Sequence, residues 1–238
     1  LGIVFSESAR AYANSVPIYS HMQTAKAITP SQPQGTTADG TGDLFNSFIN
    51  YFDVVPAFDS TLREQVFRIR YNVYAEELGW EVRASFPAGI EKYAFDSHSL
   101  HCLLKHRPSD EYIGCVRLVL NNPDAPQSLF PIEESFQTDF VQTHTTLADY
   151  QRYELGEISR IAVLSSFRHR QGEKNKPHTE IDDPGAQREE RRRFPHSALG
   201  LYLAAGAMGI AQGKSCVFGM MEPKLARRLR IFGIKFEQ

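Results

Sequence analysis

The sequence predicts an α/β domain in which helices cover a mixed sheet, and three features carry that expectation. Residues 61–78 are amphipathic at helical spacing. Two strand-like runs then flank a turn-rich link, "HRPSDE". From residue 197 onward the chain alternates helix and strand, which in a compact protein means a sheet with helices packed on it.

The 238 residues are 42% hydrophobic and 23% charged, enough for one domain with a full core. A net charge of −2 supplies no global basic field, so nucleic acid is not an expected partner. Cys102, Cys115 and Cys216 are odd in number, lack disulfide spacing and each sit in an apolar stretch. Buried thiols in a reducing compartment are expected. No apolar run reaches the roughly 20 residues of a membrane span; residues 198–211 come nearest and fall short. The N-terminus lacks the basic-then-apolar pattern of a signal peptide, so the expected location is cytoplasmic.

The elements follow in order. Residues 28–43, "ITPSQPQGTTADGTGD", read as a flexible linker, which makes 1–49 an N-terminal arm and 50–238 the folded domain. Leu44, Phe45, Phe48, Ile49 and Phe52 recur at helical spacing and predict a short helix docked on that domain. Peripheral docking on a membrane is the alternative, disfavoured by the lack of a basic face.

The helix over Thr61–Leu78 has Asp59 or Ser60 as its cap and Gly79 as its stop. Leu62, Val66, Ile69 and Val73 form its stripe, which Phe67, Tyr71, Tyr74 and Leu78 widen. Arg70 borders the aromatics, where a snorkelling side chain and a functional one fit equally. Strands are predicted at Leu100–Lys105 and Tyr112–Leu120, with Arg117 again among apolar neighbours. A Pro/Asn loop (121–128), a helix near 132–142 and a strand over Glu154–Val163 come next.

Residues 167–194 carry eight Lys/Arg, six Asp/Glu and almost no apolar side chains, and are expected to form a mobile insertion. A helix over 197–212, a strand over Ser215–Met221, a helix over 224–232 and a strand from Ile234 complete the reading.

The stretch "GEISRIAV" (156–163) poses the chemical question. Ile158, Ile161, Ala162 and Val163 call for a core, yet Glu157 and Arg160 are charged, and isolated buried charges cost several kcal/mol. A regular strand would point the two to opposite faces.

Other chemistries find little support. His98 and His101 are three apart, with no Cys or acid completing a metal set, so no metal is expected. No Gly-x-Ser-x-Gly element suggests a hydrolase.

Five short motifs occur in order: Arg70-x-x-Val73-Tyr74, Trp80, Phe95-Asp96, Gly114-x-x-Arg117-Leu118 and Glu157-x-Ser159-Arg160. Together they resemble the acyl-homoserine-lactone synthase branch of the GNAT acyltransferase fold. The stretches "RYNVYAEELGW", "FDSHSLH", "RRRFPHSALGLYLAA" and "MMEPKLARRLRIFGIKFEQ" are similar to the bacterial acyltransferases associated with exosortase (PEP-CTERM) systems and to long-chain N-acyl amino acid synthases. The resemblance spans about residues 50–238.

It implies a GNAT-like sheet, an acyl thioester donor on acyl carrier protein (or CoA), a small amine acceptor such as an amino acid, and no permanently bound cofactor. Glu157 would be the catalytic base, with Arg70, Tyr74, Trp80, Asp96, Arg117, Ser159, Arg160, Ile161 and Val163 in the substrate-binding network. By their charge, Arg191, Arg192 and Arg193 would receive the acidic face of the carrier protein or its pantetheine phosphate, and a solvated charge run fits them equally.

The chain departs from the family in three places. Tyr93 stands where the branch usually has an acid three residues before Asp96, and Glu91 would have to move to replace it. The pyrophosphate motif of CoA-using members is missing, since His169-Arg170-Gln171-Gly172-Glu173-Lys174 fails at both ends. That loss favours a carrier-protein donor. The chain also stops at Glu237-Gln238 where the family continues, so a longer protein is expected.

A β-bulge between Glu157 and Arg160 would bring both to substrate and expose backbone N–H groups for a thioester carbonyl. Arg160 would then be an anchor paired with Asp96 or Glu157. Two alternatives stand beside the N-acyltransferase: a GNAT-shaped module that binds an acyl carrier or lipid without chemistry, and an acetyl-CoA-dependent N-acetyltransferase.

Overall fold

The computed structural model describes residues 2–4, 48, 51–136, 147–167, 197–221, 226, 227 and 230. Among the described residues six strands, Gly2–Val4 (β1), Phe52–Pro56 (β2), Ser99–His106 (β3), Glu111–Leu120 (β4), Leu155–Val163 (β5) and Cys216–Phe218 (β6), form one sheet in the order β1-β6-β5-β4-β3-β2. The pairs from β2 to β5 are antiparallel, β5 and β6 run parallel, and β1 is antiparallel to β6. The helix Ser197–Ala211 (α3) lies on the β5–β6 connection, as a parallel pair requires.

Two helices cover opposite faces. Ser60–Tyr71 (α1) starts where the Asp59 carboxylate accepts the Leu62 N–H at 2.8 Å. It buries Val66, Phe67 and Ile69 against Leu103, Cys115 and Ala162 of β3, β4 and β5. At Asn72 the winding loosens into a π-helical turn, Asn72–Glu77, which places Val73 and Tyr74 in the same cluster. The stretch expected as one helix over 61–78 is therefore helical but changes pitch midway. Such turns recur at functional sites.

Helix α3 has almost no polar face and is buried accordingly. Leu201, Tyr202, Ala204, Ala205 and Met208 pack on Leu104, Val116, Leu118, Ile158 and Val163. A smaller cluster of Val119, Phe130, Leu147, Leu155, Cys216 and Phe218 closes the sheet near β6. All three cysteines are buried thiols, none of them in a disulfide.

Of the helix expected over Leu44–Phe52, the described residues Phe48 and Tyr51 are helical and Phe52 is not. Phe52 opens β2 and pairs with His106, while Phe48 packs on it with ring centroids 5.3 Å apart. Hydrogen bonds to β3 satisfy the backbone of 52–56, and that tertiary pairing overrides the helical spacing at Phe52. Of the helix expected near 132–142, Pro131–Phe136 (α2) is observed. Of the arm expected over 1–49, Gly2–Val4 is strand β1 on the edge of the sheet beside β6. Its linker at 28–43, the rest of the helix expected near 132–142, nearly all of 167–194, most of the helix at 224–232 and the strand from Ile234 lie outside the described residues.

The register of β4 against β5 contains the decisive irregularity. Cys115 pairs with Ala162 and Arg117 with Ser159, so Val116 alone faces both Arg160 and Ile161. This is a β-bulge, and Arg160 takes it up with φ = +52°, a conformation that residues other than Gly, Asn and Asp rarely adopt. The extra residue resets the alternation of faces. Ile158, Ile161 and Val163 all join the α3 side, which leaves Glu157, Ser159 and Arg160 together on the α1 side.

Close strand packing also explains a glycine. A Cβ on Gly114 would sit 2.8 Å from the Ala162 carbonyl oxygen, beside the bulge. Gly114→Ala is expected to lower stability by about 1–3 kcal/mol through overpacking, read as a reduced denaturation midpoint. An unchanged midpoint would show that β4 and β5 can separate there without loss.

Candidate active site

Three guanidinium groups and three carboxylates alternate along the α1 face of the sheet. Arg117 donates through Nε to Ser159 Oγ (3.1 Å) and through Nη1 to Asp96 Oδ1 (3.2 Å). Arg70 grips Asp96 with both terminal nitrogens, at 2.7 and 3.2 Å. Its Nε turns to Glu91. Arg160 donates to the other Glu91 oxygen and to Glu81, each at 2.8 Å. Tyr93 completes the row, its hydroxyl donating to Glu81 at 2.7 Å.

Arg70, Glu91 and Asp96 are fully buried, a placement that charged groups tolerate only when paired this completely. Burial pushes the Asp96 carboxyl up, but Arg70 and Arg117 outweigh it and hold the group well below its ordinary range. For Arg70, Glu91 and Asp96 overcome the opposing effect of burial and keep the guanidinium charged.

Local structure sets each member. Asp96 lies in the 3-10 turn Ala94–His98, where one of its oxygens also accepts the Tyr93 N–H at 2.8 Å. Glu91 is delivered by its own backbone, whose N–H bonds the Phe67 carbonyl of α1. Tyr74, from the π-helical turn, is buried and donates its hydroxyl to the Ile161 carbonyl at 2.9 Å. The Arg160 guanidinium lies 5.2 Å from the Tyr74 ring and 5.4 Å from the Tyr93 ring.

Glu157 stands apart from this row. It is 4% exposed, its Oε2 accepts the Ile132 N–H at 3.0 Å, and among the described residues it has no ion-pair partner. Burial pushes its carboxyl up to about 7. The Ile132 amide, Arg117 and Arg160 oppose the rise, and Glu133 adds to it. The parallel β5–β6 ladder runs from Leu155–Cys216 to Glu157–Phe218 and stops there, so Glu157 sits where β5 and β6 cease to pair. A carboxylate near neutrality at the end of a ladder, beside a bulge, is suited to accepting a proton.

Most of the residues singled out in the sequence therefore converge, with differences in detail. Arg160 pairs with Glu81 and Glu91 rather than with Asp96 or Glu157. Glu91 occupies the network without any displacement, while Tyr93 contributes its phenol instead of an acid. Trp80 is 59% exposed, with its ring 6.1 Å from Tyr74. The side chains of Ile161 and Val163 belong to the apolar cluster on the opposite face. Arg191, Arg192 and Arg193 lie outside the described residues.

Sequence reasoning did not single out Glu81 or Glu133, because neither lies within a recognised motif. His101 is buried edge-on to Phe67, and burial lowers it to about 3, so it is neutral. Its Nε2 lies 3.7 Å from Asp96, too far for a hydrogen bond. Among the described residues no group of three or more His, Cys, Asp or Glu is placed to hold a metal.

Residues 69–175 match the family described as an acetyltransferase (GNAT) domain. The match supports an acyltransferase, and the fold is α/β and GNAT-like. Among solved structures, the crystal structure of the AHL synthase LasI is similar at 15% identity with a TM-score of 0.41, covering 68% of this chain and 67% of that one. No curated protein matches the sequence.

Two stability predictions arise from this geometry. Arg70→Ala leaves buried Glu91 with Arg160 alone and buried Asp96 with Arg117 alone, and is expected to cost about 3–5 kcal/mol. Arg160→Ala should cost less, because its side chain is 27% exposed and Glu91 keeps Arg70. Thermal melts that reverse this order would relocate the anchor of the network.

The second prediction concerns Glu157, whose folded pKa is raised from 4.5 to about 7. Ionised Glu157 therefore opposes folding, with no effect below pH 4.5, a growing one up to pH 7 and the full one above. Glu157→Gln should melt higher than wild type at pH 8, by up to about 3 kcal/mol of stability. The difference should shrink towards pH 4.5.

Proposed function

We propose that this protein is an N-acyltransferase that moves a medium or long acyl chain from a carrier-protein thioester to the amino group of a small, amino-acid-like acceptor. The observation that carries the reading is Glu157, a buried carboxyl near neutrality at the end of the β5–β6 ladder and three residues from the bulge. A binding module has no need of such a group. Helix α3, apolar around its circumference, and Phe48 beside it supply greasy surface to border an acyl chain.

Aminolysis of a thioester asks for little. The acceptor nitrogen attacks the carbonyl carbon while its proton passes to Glu157. Backbone N–H groups of the bulge, where the ladder leaves a residue unpaired, stabilise the oxyanion. The carbon–sulfur bond then breaks, and the departing thiolate takes the proton held by Glu157. Amide and free thiol are the products, and the base is regenerated.

The row of alternating charges acts as scaffold, holding β5 in its bulged form. The missing pyrophosphate motif at 169–174 supports carrier protein over free CoA as donor, with Arg191, Arg192 and Arg193 as its docking charges.

The test is turnover measured as thiol release from an acylated carrier protein with a panel of amino acids as acceptors. Turnover should rise with pH through about 7, because the base works ionised. Glu157→Gln should lose about 100-fold or more while still binding the carrier. Wild-type turnover in that variant would favour the binding module. Equal use of free acyl-CoA would remove the carrier protein from the reading.

A further inference from the structure

The base has a neighbour that no motif announces. Glu133, on α2, is fully buried, and its Oε2 accepts the Phe130 N–H at 2.8 Å. Arg152, from the turn before β5, donates to both Glu133 oxygens, at 2.5 and 3.3 Å, and to the Ser128 carbonyl at 2.7 Å. Its guanidinium also lies 5.2 Å from the Phe130 ring, which in turn meets Phe218 edge-on at 5.1 Å. Residues 128–133 are thus tied at three points to the turn before β5, to themselves and to the end of β6. The next amide in that segment, Ile132 N–H, is the one that reaches Glu157.

We propose that Glu133, clamped by Arg152, is a positioning residue for Glu157: it holds the 128–133 segment so that the Ile132 N–H fixes Oε2 and leaves Oε1 for the acceptor's proton. Among the described residues Oε1 accepts no hydrogen bond, which suits that division. A free carboxylate rotates and presents either oxygen to solvent, whereas a clamped one is held in a single orientation. Glu133 also acts on Glu157 as a like charge, opposed by Arg117 on β4 and Arg160 on β5. Its removal therefore has an electrical as well as a geometric consequence.

This inference rests on Glu157 being the base, and the experiment separates the two. In the full chain with ¹³C-labelled glutamate, the Glu157 carboxyl resonance is assigned by its loss in Glu157→Gln and titrated by NMR. Glu133→Gln should lower the titration midpoint of Glu157 by about half a pH unit or more, with turnover reduced about tenfold at unchanged KM for the acylated carrier. Glu133→Asp should restore part of both.

Should Glu133→Gln fail to fold with Arg152 stranded, the double variant Glu133→Gln/Arg152→Met removes both charges and is expected to fold. It should show the same loss in turnover. An unmoved Glu157 midpoint in Glu133→Gln, or a folded double variant with wild-type turnover, overturns the proposal even where Glu157→Gln is inactive. Wild-type turnover in Glu157→Gln itself instead overturns the base.

Discussion

The structure depends on how three buried or half-buried arginines are neutralised. Arg117, Arg70 and Arg160 alternate with Asp96, Glu91 and Glu81 in one continuous row, so no member faces the core with an uncompensated charge. The row crosses from β4 through the 91–96 segment to β5 and ties α1 to the sheet. Hydrophobic packing alone would tolerate many registers of these strands. Arginine's planar fork, engaged with Asp96 by two nitrogens, accepts one.

Complete pairing in the row has a consequence for the residue outside it. Glu157 shares the same face but, among the described residues, receives a backbone amide and no ion-pair partner, so desolvation outweighs the opposing amide, Arg117 and Arg160. Asp96 and Glu157 are both buried carboxyls, and their titration is displaced in opposite directions. One is built to stay charged and the other to exchange a proton. That divergence separates scaffold from chemistry more sharply than burial does.

The bulge links the two. Arg160 holds a left-handed backbone, a strain of about 1 kcal/mol or more for a residue with a Cβ. Two ion pairs and the flanking rings of Tyr74 and Tyr93 keep the side chain in place. On the backbone, the Tyr74 hydroxyl holds the Ile161 carbonyl. The buried Cys115 thiol lies 4.0 Å from the carbonyl of Arg160 itself. The π-helical turn has its explanation here, since a looser pitch brings Tyr74 over β5 while Arg70, one turn earlier, reaches Asp96.

What the sequence determined by itself was the set of periodic elements and the chemical oddities within them. The hairpin at 99–120, the helix beginning at Ser60 and the buried α3 were legible because side-chain spacing reports the face a residue shows to a core. Charges in apolar strands marked Arg117, Glu157 and Arg160 as residues needing partners. Tertiary structure decided who those partners are. Strand β2 forms only because β3 offers its edge. Glu91 reaches Arg70 across 21 residues, Arg160 reaches Glu81 across 79, and Glu133 comes near Glu157 through a segment without periodicity. Such pairings follow from the path of the backbone in space, and local spacing carries no record of that path.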